Sequence, residues 1–152
     1  MKADSEVVWL VVIGVFVRVF LSAFLFHTDT KNIFIESGFI NDGWKGAYHT
    51  AIEAGRPIYY PPLVYSLVEG YKKAGAFLFS DYFSTWLTDG TAQHSENHPH
   101  LFRDLLMMKL PLLLADIFIG YLLFQIVSEK NRRRVIWLWF FNPLTLYAIY
   151  GF

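Results

Sequence analysis

Four groups of residues have the types and spacing for chemistry. Asp29, in the run His27-Thr28-Asp29-Thr30-Lys31, puts a carboxylate just beyond a long apolar stretch. At a membrane–water boundary such a group can take a proton from a hydroxyl, or offer hard oxygens to Mg²⁺ or Mn²⁺. Taken alone, its simpler reading is a polar interface residue, or the cap of the next helix. The second group is Tyr59-Tyr60-Pro61-Pro62. The prolines fix φ, and the tyrosines offer ring faces and hydroxyls suited to a sugar. Its simpler reading is a rigid turn before an interfacial helix. Arg18 and Asp116 form the third group, as charges inside apolar runs. Such charges are costly and are usually paired or functional. A structural clamp is the simpler reading; the alternative sets the Arg18 fork against the phosphate of a lipid-linked substrate. The fourth group is His94, Glu96, His98 and His100, whose spacing matches none of the stronger zinc signatures. A polar loop with chance histidines is the simpler account. No Gly-rich phosphate loop, nucleophile elbow or metalloprotease motif accompanies these groups.

The elements that must position them are mostly apolar helices. Residues 7–26 carry a single Lys, Arg, Asp or Glu, Arg18. At 1.5 Å per residue they match a hydrocarbon core of roughly 30 Å. A cleaved signal peptide expects a shorter apolar run and small residues before the cut. This run instead ends in Phe24-Leu25-Phe26-His27, and an uncleaved first span is expected. Residues 110–127 give a second span, with Asp116 inside, and residues 135–152 a third. The intervening loop, 128–134, holds Lys130, Arg132, Arg133 and Arg134. Four cations in a short loop between spans predict a cytoplasmic location. Residues 27–109 then lie outside or in a lumen, in a prokaryotic plasma membrane or the ER membrane. Residues 59–80 are apolar, but Glu69, Lys72 and Lys73 occupy their centre. Spanning there would cost about 2.5–3.5 kcal/mol per lysine, so an interfacial helix with snorkelling lysines is expected. Residues 33–54 place Trp44, Tyr48 and Ile52 at helical spacing, which predicts short amphipathic helices. Residues 80–99 read as a polar loop with Asp89-Gly90 as a turn.

Composition narrows the class. The chain has 152 residues, is 55% hydrophobic, 19% aromatic and 17% charged, and has no cysteine. That excludes a disordered chain, a disulfide scaffold and a cysteine-ligated zinc site. Thirteen Lys and Arg balance thirteen Asp and Glu. Without a basic surplus, nucleic acid is not an expected partner. The fold class expected is all-α, a membrane protein with about three transmembrane helices and an outward-facing segment.

The motifs also form an ordered set. An Arg-bearing first helix leads to Thr28-Asp29 and Phe34, then Tyr48 and the run Ala51 to Tyr59. Tyr60-Pro61-Pro62-Leu63, Lys109-Leu110-Pro111, Ala115-Asp116 and Trp139-Phe140-Phe141-Asn142-Pro143-Leu144 come next. This order resembles the amino-terminal part of a GT-C-fold glycosyltransferase. The branch it is most similar to contains the catalytic subunit of GPI mannosyltransferase I and its prokaryotic relatives. The resemblance implies sugar transfer, mannose in that branch, from a polyprenyl-phosphate donor on the outer or lumenal face. It implies that Asp29 deprotonates the acceptor hydroxyl and that the anomeric centre inverts. It further implies that Tyr60, Pro61 and Pro62 shape the substrate pocket; Tyr59 joins them as a ring and hydroxyl donor by its residue type, and a phosphate-supporting role for Arg18 rests on its charge and not on the family pattern. Eukaryotic members carry a second Asp two positions after the first; Lys31 stands there and can face the phosphate instead. That departure counts against a two-carboxylate metal site, so a divalent cation, Mg²⁺ or Mn²⁺, rests only on the hard oxygens of Asp29.

Such enzymes have many more helices. The chain is therefore expected to be a single module, 1–152, of a larger enzyme. Its partners would be the bilayer, the lipid-linked sugar donor and further transmembrane helices from the same or another chain. The rival expectation is a non-catalytic integral-membrane subunit or scaffold of a larger membrane complex.

Overall fold

A computed structural model describes residues 5–56, 59–88 and 98–150, and all of the regular structure in these residues is helical. Among these described residues eight α-helices occur in order: α1 (Ser5–Phe24), α2 (Thr28–Glu36), α3 (Gly43–Glu53), α4 (Pro62–Ala74), α5 (Phe83–Thr88), α6 (Leu101–Ile126), α7 (Glu129–Phe141) and α8 (Pro143–Tyr150). Short 3₁₀ segments cover Ser37–Asp42 and Ala76–Leu78. The chain divides into two compact units, residues 1–26 with 105–152, and residues 27–104.

In the first unit, α1 and α6 are each long and apolar enough to cross a membrane. Within the third expected span, residues 135–152, the described residues form two helices, α7 and α8, rather than one. Asn142 is extended at φ −70°, ψ 115°, as the residue before a proline prefers. Its Oδ1 accepts from the N–H of Leu144 at 3.0 Å, so Asn142 caps α8 and Pro143 takes that helix's first position. The basic stretch 128–134 is not a loop. Ser128 precedes α7, Glu129 opens it, and the Lys and Arg residues form its first turns, for which they have good propensity. The core of this unit is Val7, Ile136 and Phe140. The Phe140 ring fits a slot between Gly14 and Gly120. A β-carbon at Gly14 would lie 2.7 Å from Phe140 Cβ, and one at Gly120 would lie 3.0 Å from the ring.

The second unit packs α2, α3, α4 and α5 with the 3₁₀ segments. Phe79 stacks on Phe83 with centroids 4.1 Å apart, and Phe34 meets both edge-on. In α3 the buried face is Ala47 and Ala51, whereas Tyr48 and Ile52 are exposed. The short helix expected here is thus present, with its small alanines allowing close approach to the rest of the unit and Tyr48 and Ile52 on the opposite, exposed face. Gly55, at φ 64°, ends α3. The N–H of Arg56 reaches the Ala51 carbonyl at 2.8 Å and that of Gly55 reaches Ile52 at 3.0 Å, the paired bonds of a Schellman stop. α4 has 13 residues and starts with Pro62. At about 20 Å it is too short to span a bilayer.

Candidate functional site

Asp29 lies in the first turn of α2, where a carboxylate complements the helix dipole. His27, not Asp29, is the cap: its Nδ1 accepts from the Asp29 N–H at 3.2 Å. The Asp29 side chain is 52% exposed, and His27 Nδ1 lies 3.4 Å from its Oδ2. An accessible carboxylate beside an imidazole can accept and pass on a proton. One acid and one imidazole fall short of an oxygen-rich Mg²⁺ set, and no group of three His, Asp or Glu converges among the described residues. Lys31, two positions on, is buried with its ammonium 4.8 Å above the Trp86 ring. It packs into the second unit rather than standing beside Asp29 at the surface.

The tyrosine–proline run is held by a residue that the motif did not reveal. Tyr65, one turn into α4, is buried. Its hydroxyl donates to Glu36 Oε2 at 2.8 Å and accepts from the backbone N–H groups of Tyr59 and Tyr60, each at 3.2 Å. Burial leads in raising the Tyr65 hydroxyl above its ordinary pKa; the N–H groups of Tyr60 and Tyr59 oppose this and Glu36 adds to it. The neutral phenol is thereby kept as both donor and acceptor. Tyr59, Tyr60 and Pro61 are exposed, so their rings and hydroxyls form a stiff rim.

Further along α4, the Glu69 carboxylate meets Lys72 Nζ at 2.5 Å and Lys73 Nζ at 3.6 Å. It also accepts from Ser37 Oγ at 3.2 Å and Asn41 Nδ2 at 3.3 Å. Burial pushes its pKa up, but the hydrogen bond and charge of Lys72, with Asn41 and Ser37, outweigh burial and hold it below the ordinary value. Lys72 Nζ reaches the Phe34 carbonyl as well, at 3.2 Å. A groove of about 680 Å³ opens beside this cluster, with Phe34, Phe79, Phe83 and Leu87 as apolar lining and Lys72 and Ser84 among its polar groups. That size suits a small ligand.

Arg18 and Asp116 form a buried ion pair in the first unit, each at most 2% exposed. Arg18 Nη1 donates to the Phe140 carbonyl at 2.7 Å and Nη2 to the Trp139 carbonyl at 3.0 Å. These carbonyls end α7. The i+4 partner of Trp139 would be Pro143, which has no N–H; that of Phe140 would be Leu144, whose N–H goes to Asn142. The guanidinium therefore occupies the orphan acceptors that the helix break creates. Asp116 also accepts from the Tyr150 hydroxyl at 2.8 Å. Lys109 works likewise, donating to the carbonyls of Leu25 at 2.7 Å and Tyr150 at 2.6 Å, where α1 and α8 end.

Of the histidine group, His94 and Glu96 lie outside the described residues. His98 is buried, with Nε2 2.9 Å from the Asp104 carboxylate. Asp104 also accepts from the Ser80 hydroxyl, and from the Ser80 N–H at 2.9 Å. Serine, acid and imidazole meet here, but the acid stands between the other two. A nucleophilic triad needs the imidazole in the middle, so this trio ties the start of α6 to the preceding chain.

Sequence reasoning missed Glu36, Tyr65, Asp104 and Lys109 as organising residues. The spacing of Tyr65 and Glu69, one helical turn apart, was a signal of a shared buried face. Comparison with known protein families, with curated proteins and with solved structures returns no match.

Proposed function

We propose that the chain is a membrane module of a GT-C-type glycosyltransferase, moving a sugar from a polyprenyl-phosphate donor to an acceptor hydroxyl. On this reading α1 and α6 span the bilayer, α7 with α8 forms a broken third span, and residues 27–109 face outward. Only 22% of the apolar window of α1 and 33% of that of α6 are buried within the chain, which favours lipid or further helices around them.

The observation that carries the reading is the half-exposed Asp29 carboxylate, standing in sequence five residues after the end of an apolar 20-residue helix. In the proposed reaction Asp29 takes the acceptor proton. The acceptor oxygen bonds to the anomeric carbon as that carbon's bond to phosphate oxygen breaks, and the polyprenyl phosphate leaves. The exposed Tyr59, Tyr60 and Pro61 offer stacking surfaces to the sugar. In this reading Arg18 serves the fold, its donors being committed to Asp116, Trp139 and Phe140.

The test is chain-dependent transfer of labelled mannose from dolichyl-phosphate mannose into glycolipid, in membranes carrying the full chain. Asp29→Asn should lower transfer by at least about a hundredfold with donor binding retained. Unchanged transfer excludes Asp29 as the base. The second reading, a non-catalytic subunit, is favoured by how many charges serve helix ends. It requires a companion chain, so a stable isolated monomer counts against it.

A further inference from the structure

We infer that the start of α7 is a binding site for the phosphate headgroup of an anionic phospholipid. Lys130, Arg133, Arg134 and Trp137 line a depression of about 320 Å³. Their spacing of i, i+3, i+4 and i+7 puts them on one helix face, and all four side chains are exposed.

The cations of this helix are not equivalent. Arg132 pairs with Glu129 at 3.4 Å and lies over the Phe124 ring at 4.7 Å. Arg133 pairs with Glu6 at 2.7 Å. Neither Lys130 nor Arg134 has a carboxylate partner among the described residues. The depression thus holds two uncompensated cations and one shared one, a match for a phosphodiester or phosphomonoester. Arg supplies the planar fork for phosphate oxygens and Lys a mobile point charge.

The next turns of the helix select a lipid over a soluble anion. Trp137 is 53% exposed, and its ring lies 6.3 Å from that of Phe141 one turn further on. Leu138 is exposed beside it. Charge gives way to an indole and then to hydrocarbon within about three turns. That gradient matches the order of phosphate, ester region and acyl chain in a leaflet, with tryptophan at headgroup depth. The inference rests on the membrane reading of α1 and α6, and is independent of the transferase assignment.

The full chain, in vesicles, is exposed to brominated phosphatidylglycerol or brominated phosphatidylcholine, and tryptophan quenching gives the relative association of each. The expected preference for phosphatidylglycerol is about tenfold, weakening with salt. Lys130→Gln combined with Arg134→Gln should abolish the preference, whereas Arg132→Gln and Lys130→Arg should keep it. Trp137→Phe should remove the phosphatidylglycerol-specific part of the quenching. Preference surviving in the double variant overturns the site. Displacement of the lipid by millimolar inorganic phosphate or glycerol phosphate also overturns it, in favour of a soluble anion. A chain that washes off the vesicles in carbonate defeats the membrane reading as well; a retained chain without preference defeats the headgroup site alone.

Discussion

The Arg18–Asp116 pair and the Glu69–Lys72–Lys73 cluster each bury a carboxylate with cations, and they differ in how the charge is shared. Arg18 and Asp116 are 98 positions apart in sequence and join α1 to α6, while the same guanidinium closes the end of α7. Glu69 meets its lysines three and four residues along its own helix, and Lys73 is 64% exposed. The first arrangement is a tertiary fastening whose members cannot reach water. The second is a local one, with a neutral hydroxyl and amide ready to share the load. Removing one partner from a sealed pair strands a charge, whereas an exposed helix pair contributes only tenths of a kcal/mol.

The largest expected effect is therefore at Asp116. Asp116→Ala should destabilise the chain by about 3–5 kcal/mol, read by thermal denaturation in detergent; a loss below about 1 kcal/mol would mean that Arg18 finds another counter-charge. Adding Arg18→Met should restore only part of the loss, because the Trp139 and Phe140 carbonyls are then uncapped. Full restoration would show that the ion pair alone, and not the helix end, sets the role of Arg18. Gly14→Ala, which drives a methyl into Phe140, should cost about 1–3 kcal/mol by the same measurement.

Glu69→Gln should cost about 1–3 kcal/mol and also change the acid limb. Since folding holds the Glu69 pKa below its ordinary value near 4.5, its contribution is complete above that value and is lost as pH falls through the lower folded one. Wild type should lose stability across that window and Glu69→Gln should lose less; parallel acid profiles would remove Glu69 from the account. The smallest effect is expected for Lys73→Gln, below about 0.5 kcal/mol. A cost comparable to that of Glu69→Gln would erase the contrast between the two clusters.

The all-helical class was legible because long apolar runs with few charges leave little else to form. The Arg18–Asp116 clamp was legible too, since both charges stand inside apolar runs at compatible depth. The break at Asn142-Pro143 was written in the sequence, yet the expectation of a span across residues 135–152 let hydropathy override the proline. The basic stretch before it passed for a loop because charge was weighed above helix propensity. In α3 the helical spacing was legible but the buried face was not, for a tight contact prefers alanine and pattern alone does not report which face has a neighbour. The support that Tyr65 and Glu36 give the tyrosine–proline run joins residues 29 apart, and no local signal encodes it. Asp29 was found by its position after an apolar helix, and its exposure came only with three dimensions.

The guanidinium that plugs the broken end of α7 has a consequence for biosynthesis. Arg18 leaves the ribosome 98 residues before Asp116 and about 120 before the carbonyls it serves. At roughly 5–20 residues per second, the newborn first helix carries an unmatched positive group for some 5–20 seconds. On the proposed membrane reading, it would wait through that interval at the water boundary or in the shelter of the insertion machinery, with its final depth settled only when α7 and α8 arrive.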